Sequence, residues 1–226
     1  MRPILQRLIQ TAKIAAVGGT ATLSSFFIYT RNTKFTPIDD SDPIFRIARE
    51  RNLNPHENPT THDFFIRRVP LGDIRSEVRD SPVKLTEAFC AGVWSNWGFA
   101  IQRALSSRSQ NESNKSQLWT RDGLLSSKYN PGTLLMDSFE VLEKRDDGVI
   151  FRGGDSPSNK ALRPLDVILE LSATIKEDEQ AVDFGFKSVF FAGDKRIEKP
   201  PMPGFVVWLH LQYAKLLLEN GVANTI

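Results

Sequence analysis

Residues 165–191, LDVILELSATIKEDEQAVDFGFKSVFF, decide the fold. In the first half Val167, Leu169, Leu171, Ala173 and Ile175 alternate with Ile168, Glu170, Ser172 and Thr174, the two-residue period of a strand with one buried face and one mostly solvated face. In the second half Val182, Phe184, Phe186, Ser188 and Phe190 share a face, while Asp183, Gly185 and Lys187 take the other. Upstream, residues 133–143 and 148–154 read as two more strands, and the link GGDSPSNKALRP at 153–164 carries turn chemistry. Downstream lies PMPGFVVWLHLQYAKLLLEN. Its helix is expected to start near Pro203, whose fixed φ suits a first turn, and to stop at Gly221. Phe205, Leu209, Tyr213 and Leu216 form its stripe, with Val206, His210 and Leu217 beside it. Antiparallel strands closed by one long helix make an α+β domain, and that shape encloses a cavity.

Further upstream, DFFIRRVPL gives a first strand from Asp63 to Val69. Residues 84–106 place Leu85, Phe89, Val93, Trp97, Ile101 and Leu105 at near four-residue spacing, which predicts a helix buried along one face. Gly92 and Gly98 inside it fit close packing or a break near Ser95. The following SSRSQNESNKSQ is polar and reads as a surface loop. Residues 32–61 are rich in Pro, Asn and charge, and each of Pro37, Pro43, Pro55 and Pro59 pushes its predecessor out of the helical region. This stretch is expected to be an extended connector with one short helix, capped by Ser41 or Asp42, that wraps the domain to cover Phe35, Ile44 and Phe45.

Residues 14–30, IAAVGGTATLSSFFIYT, carry no charge between Lys13 and Arg31. At about 1.5 Å per residue they reach the short end of a bilayer span, so a single-pass transmembrane anchor is expected, with a cleaved leader or a soluble helix as alternatives. The acid-free opening MRPILQRLIQTAK is amphipathic and basic, as in mitochondrial presequences and in the lead of an endoplasmic-reticulum anchor. The mitochondrial inner membrane is placed ahead of the reticulum.

The formal net charge of +2 is uneven. Five of the 29 basic residues, Arg2, Arg7, Lys13, Arg31 and Lys34, precede the first acid, Asp39, which leaves 24 basic against 27 acidic residues in the remainder. A mildly acidic body argues against a nucleic-acid partner. Cys90 is the single cysteine, which excludes an internal disulfide and a Cys-rich zinc site. Three histidines, at 56, 62 and 210, show no metal-ligand spacing, and no motif points to a cofactor.

The order of strand, helix, antiparallel strands and one long final helix over residues 62–220 resembles the helix-grip fold of the START-like superfamily of polyketide cyclases and lipid-transfer domains. The matching stretches are GTLLMDSFEVLEKRDDGVIFRGGD, RPLDVILELSATI, VDFGFKSVFF and PMPGFVVWLHLQYAKLLLE. The same block is similar to fungal membrane-anchored proteins with a Gly-Asp turn, a strand opening on Arg and a Pro-aromatic helix start, here Gly154-Asp155, Arg163, and Pro203 with Phe205. The strand count falls short of a full helix-grip sheet, so the rest is expected within the connector or residues 117–130. The resemblance implies an apolar pocket for a lipid, quinone or polycyclic molecule, and it carries no catalytic residue across.

Candidate site residues follow from side-chain chemistry. A cavity-facing His210 suits acid–base work near neutral pH, and its plain alternative is a hydrogen-bonded structural histidine. His62 and Asp63 are adjacent on a strand and point to opposite faces, so they do not form a dyad. Asp155 and Arg163, at the ends of neighbouring strands, pair either as a cavity-mouth anchor or as a loop-stabilising bridge. Cys90 on a buried helix face reads as inert packing. Trp94, Trp97, Phe184, Phe186, Trp208 and Tyr213 are the candidate ligand-binding wall, or else core. Three functions stay open: a membrane-anchored binder of a hydrophobic small molecule, a cyclase or isomerase acting on such a molecule, and a membrane-tethered assembly factor without a ligand.

Overall fold

In the computed structural model, which describes residues 24–226, the chain divides into two units, Met1–Asn32 and Thr33–Ile226. In the first unit residues 24–29 are helical, and the Thr30 hydroxyl donates to the Phe26 carbonyl at 3.0 Å. The expected anchor at 14–30 lies for its larger part outside the described residues, as does the basic opening segment. Among the described residues no helix is long and apolar enough to cross a membrane.

The second unit is α+β, with a seven-stranded sheet and a long C-terminal helix. The strands are β1 (Thr33–Phe35), β2 (Thr61–Pro70), β3 (Leu134–Leu135), β4 (Phe139–Arg145), β5 (Gly148–Gly153), β6 (Asp166–Lys176) and β7 (Ala181–Phe191). They run in the order β1-β2-β7-β6-β5-β4-β3, every pair antiparallel. The central hairpin sets Leu171 opposite Phe186 and Ala173 opposite Phe184, so the apolar alternation of both strands falls on one face. That face meets the main core, including Phe65, Phe89, Val93 and Leu218.

The sequence-derived elements shift in five places. The connector holds a strand of its own, β1, and helix α1 (Pro43–Glu50), whose N-cap Asp42 accepts from the Ile44 amide at 3.0 Å. Through Ile44, Phe45, Ile47 and Ala48 this helix covers Ile150, Ile168, Val189 and Phe191, so the far sheet face is partly buried and not merely solvated. Phe35 stays 58% exposed, against the expectation that the connector hides it. Residues 117–130 supply helix α5 (Arg121–Ser126) and a bridge from Leu118 to Leu135, but no full strand.

The run at 133–143 is two strands, because Met136 and Asp137 both take φ of 51° and turn the chain back on itself. The helix expected at 84–106 is α3 (Pro82–Ser95), a 3₁₀ turn (Trp97–Phe99) and α4 (Ala100–Ser106), following the short α2 (Ser76–Arg79). Asn96, with ψ of 175°, makes the break. The break is stitched from the closing helix α6 (Gly204–Ala223): the Asn220 carbonyl accepts from Asn96 Nδ2 at 2.8 Å, and Asn220 Oδ1 accepts from the Gly98 amide at 3.2 Å. Past the break the apolar spacing no longer predicts burial, and Trp97, Ile101 and Leu105 are exposed.

Gly221 does not end α6, which continues to Ala223. A Cβ at Gly221 would lie 2.7 Å from Val93 Cγ2, and one at Gly92 would lie 2.8 Å from the Gly221 carbonyl oxygen. These glycines let α3 and α6 approach backbone to backbone. The C-terminal half of α6 is also tied to the sheet edge, where Glu219 accepts from the Thr33 hydroxyl at 2.6 Å and from Arg67 Nε at 3.3 Å. Its N-terminal half stands clear of the core, leaving Phe205, Val206, Trp208 and Leu209 exposed.

Candidate functional site

Where α6 rises off the sheet, a cavity of about 250 Å³ opens between β6, β7, the α3–α4 break and α6. Val167 and Leu169 come from β6, Phe186, Ser188 and Phe190 from β7, and His210, Tyr213 and Leu217 from α6. Trp94, Phe99, Gln102, Phe139 and Gly154 complete the wall. Alternation on β7 puts Phe186, Ser188 and Phe190 on one face, so one hydroxyl sits within an otherwise aromatic row. The cavity is adjoined by an apolar groove along Trp97, Ile101, Leu105 and Leu216 that shares Gln102 and Tyr213 with it.

The polar groups in this wall are few and specific. Tyr213 donates its hydroxyl to Gln102 Oε1 at 3.1 Å, and burial pushes that phenol well above its usual range, so it stays neutral. Trp94 is buried against Phe99, Phe139 and Phe151, and its indole N–H has no hydrogen-bond partner among the described residues. A buried donor left unpaired costs about 1–3 kcal/mol.

Among the described residues His210 is hydrogen-bonded on one side only. Its Nε2 lies 2.8 Å from Asp63 Oδ2 and 3.0 Å from Ser188 Oγ, and Ser188 donates to the same carboxylate oxygen at 2.6 Å. The Phe190 ring packs edge-on to the imidazole at 4.7 Å between centroids. Asp63 is 1% exposed, and its second oxygen has no partner among the described residues. His62, on the opposite face of β2, contacts Thr60 and the Phe45 ring.

The chain matches no family of known proteins, no curated relative and no solved structure.

The other sequence candidates fall in several places. Trp94, Phe186 and Tyr213 line the cavity, and Trp97 lines the groove beside it. Phe184 is in the main core, 5.0 Å from the Phe89 ring, and Trp208 is exposed and stacked on Phe205. Asp155 and Arg163 do not bond to each other. Asp155 accepts from Asn159 Nδ2 at 2.6 Å and from the Ser156 amide at 2.7 Å, and these bonds hold its carboxyl below the usual range. Arg163 turns inward, donating to the carbonyls of Gly153, Ser156 and Asn159 at 3.1, 3.0 and 2.8 Å. Its ionic partner is Asp166, which Arg152 grips more closely, at 2.6 Å. The basic and acidic residues at these strand ends thus form a buried triad that locks the 153–163 loop.

Asp63 and Ser188 were missed as site residues, yet both carry a legible signal. Ser188 is a polar residue between Phe186 and Phe190, and Asp63 shares its strand face with Phe65 and Val69.

Proposed function

We propose that the protein binds a small hydrophobic molecule in the cavity between its sheet and C-terminal helix, as a carrier or binding protein tethered at a membrane. The observation that carries this reading is the cavity itself, about 250 Å³ walled by aromatic and aliphatic side chains with a handful of polar atoms. That composition is the usual character of ligand sites, and the volume is slightly below the ~300–1,000 Å³ common for drug-sized ligands. The adjoining groove gives an apolar tail a place to lie between α4 and α6. The seven-stranded antiparallel order closed by α6 supports the likeness to helix-grip domains, and the uncharged run at 14–30 supports a membrane tether.

The test uses the full chain, purified and extracted with organic solvent, with mass spectrometry of the extract. A stoichiometric apolar molecule is expected from the wild type and is expected to be lost from Val167→Phe, which fills the cavity while retaining native circular dichroism. An empty extract from the wild type, together with no uptake of any added apolar ligand, would remove the binding role. A cyclase or isomerase acting on such a molecule is the second reading, favoured by the presence of His210 in the wall.

A further inference from the structure

Asp63, Ser188 and His210 come from β2, β7 and α6 and share one hydrogen-bonding centre, Asp63 Oδ2. A carboxylate oxygen 2.8 Å from Nε2 requires a hydrogen on that nitrogen, which fixes the tautomer of the neutral ring. Nδ1 is then the ring's acceptor. No described residue bonds to Nδ1, and the imidazole lines the apolar cavity alongside Ser188.

This arrangement is not that of a serine nucleophile. There the serine hydroxyl and the carboxylate address opposite ring nitrogens, and the serine proton leaves through the ring. Here both address Nε2, and the Ser188 hydroxyl already donates to Asp63 at 2.6 Å. Ser188 and Asp63 together orient the ring and leave its other nitrogen available.

We propose that His210 Nδ1 is the proton acceptor for a ligand hydroxyl, and that the cavity takes a small, largely apolar molecule bearing one acidic O–H, a phenol or an enol. This rests on the cavity being a ligand site. In the step the ligand O–H bond breaks and an N–H bond forms on Nδ1. The ligand is left as a phenolate or enolate beside an imidazolium, whose charge the Asp63 carboxylate balances. No electrons change hands and no further reactant is needed.

The groups around the ring are few. β2 brings Asp63, and β7 brings Ser188 and Phe190. On α6 itself Tyr213 stands next along the wall and is engaged with Gln102 of α4. Lys187, beside Ser188 in sequence, lies on the other sheet face with Asp42 and Glu170.

The experiment titrates the full chain with 3-nitrophenol, whose neutral and ionised forms absorb at different wavelengths, at about pH 7, where the free compound is mostly neutral and an ordinary imidazole is mostly unprotonated. 4-Nitrotoluene serves as the apolar counterpart, followed by calorimetry. Wild type is expected to bind both and to show the ionised absorbance of the phenol. In His210→Gln the ionised nitrophenol fraction is expected to fall about tenfold or more, well beyond any change in 4-nitrotoluene affinity measured alongside. Binding of nitrophenol that stays neutral in wild type, or an ionised signal that persists in His210→Gln, overturns the proton-acceptor role and leaves the cavity reading intact. Failure of wild type to bind either compound overturns the cavity reading itself. If His210→Gln loses native circular dichroism, the ¹⁵N shift of Nδ1 in wild type decides instead. A change to the protonated type on adding nitrophenol is expected, and an unchanged shift in the saturated complex overturns the proposal.

Discussion

Asp63 Oδ2 lies 2.8 Å from His210 Nε2, joining β2 to α6 across 147 residues of chain. The bond holds the free-standing half of the closing helix to the sheet beside the cavity. Removing the imidazole leaves a buried carboxylate with only the Ser188 hydroxyl, so His210→Ala is expected to lower stability by about 1–3 kcal/mol. A double-mutant cycle with Asp63→Asn should give a coupling of about 0.5–3 kcal/mol by urea unfolding. Strict additivity would show that the two groups do not interact in solution.

Asp166 is fully buried between Arg152 and Arg163. Asp166→Asn leaves two buried guanidiniums without their counter-charge and is expected to cost about 3–5 kcal/mol. Asp155→Asn, at an exposed carboxylate on the same loop, is expected to stay within about 0.5 kcal/mol of wild type. Similar midpoints for the two variants in urea would mean that Asp166 contributes no more to the loop than the exposed Asp155 does.

Gly221 faces Phe89 and Val93, with an added Cβ placed 2.6 Å from Phe89 Cδ2. In an exposed helix Gly→Ala stabilises, but here overpacking is expected to dominate, and Gly221→Ala should cost about 1–3 kcal/mol. A rise in melting temperature would show that α3 and α6 are less closely packed than described.

Burial pushes the Cys90 thiol far above its usual range. In the native protein at neutral pH the side chain is expected to be unreactive toward a maleimide, with full labelling only in denaturant. Rapid native labelling would show that α3 opens on the timescale of the reaction.

Glu87 combines partial burial, which opposes its charge, with hydrogen bonds from Lys144 at 2.6 Å and Lys128 at 2.9 Å, and the net effect is a carboxyl below its reference value of 4.5. A group depressed on folding stabilises above its unfolded value, and that contribution is lost as pH falls through the folded value. Wild type and Glu87→Gln should therefore differ in urea midpoint near neutrality and converge in acid. A gap that is unchanged in acid would assign the difference to packing.

The hairpin at 165–191 was readable because a two-residue period with one buried face admits no other register. The α1 cap was readable for a similar reason, since Asp42 before Pro43 is a local signal. What stayed hidden depended on partners distant in sequence. Gly92 and Gly98 point to a break near Ser95, but its anchor, Asn220, lies far along the chain, and the four-residue spacing through Trp97, Ile101 and Leu105 still predicts a burial that the break undoes. Arg163 and Asp155 stand close in sequence with opposite charge, yet three backbone carbonyls draw Arg163 inward. His210 was visible as a lone imidazole on an apolar helix, while its partner Asp63 was read only against its neighbour His62. The cluster exists because β2 and β7 pair in a register that sets Asp63 opposite Ser188.

The central claim is that the space between Trp94, Ser188 and His210 is a ligand site. Diffraction from crystals of the protein soaked in 4-bromophenol, with anomalous scattering from bromine, tests it most directly. The account predicts a single strong bromine peak inside that cavity, with the phenol oxygen within hydrogen-bonding distance of His210 Nδ1. Side chains that close the space, or bromine bound only elsewhere, would contradict it.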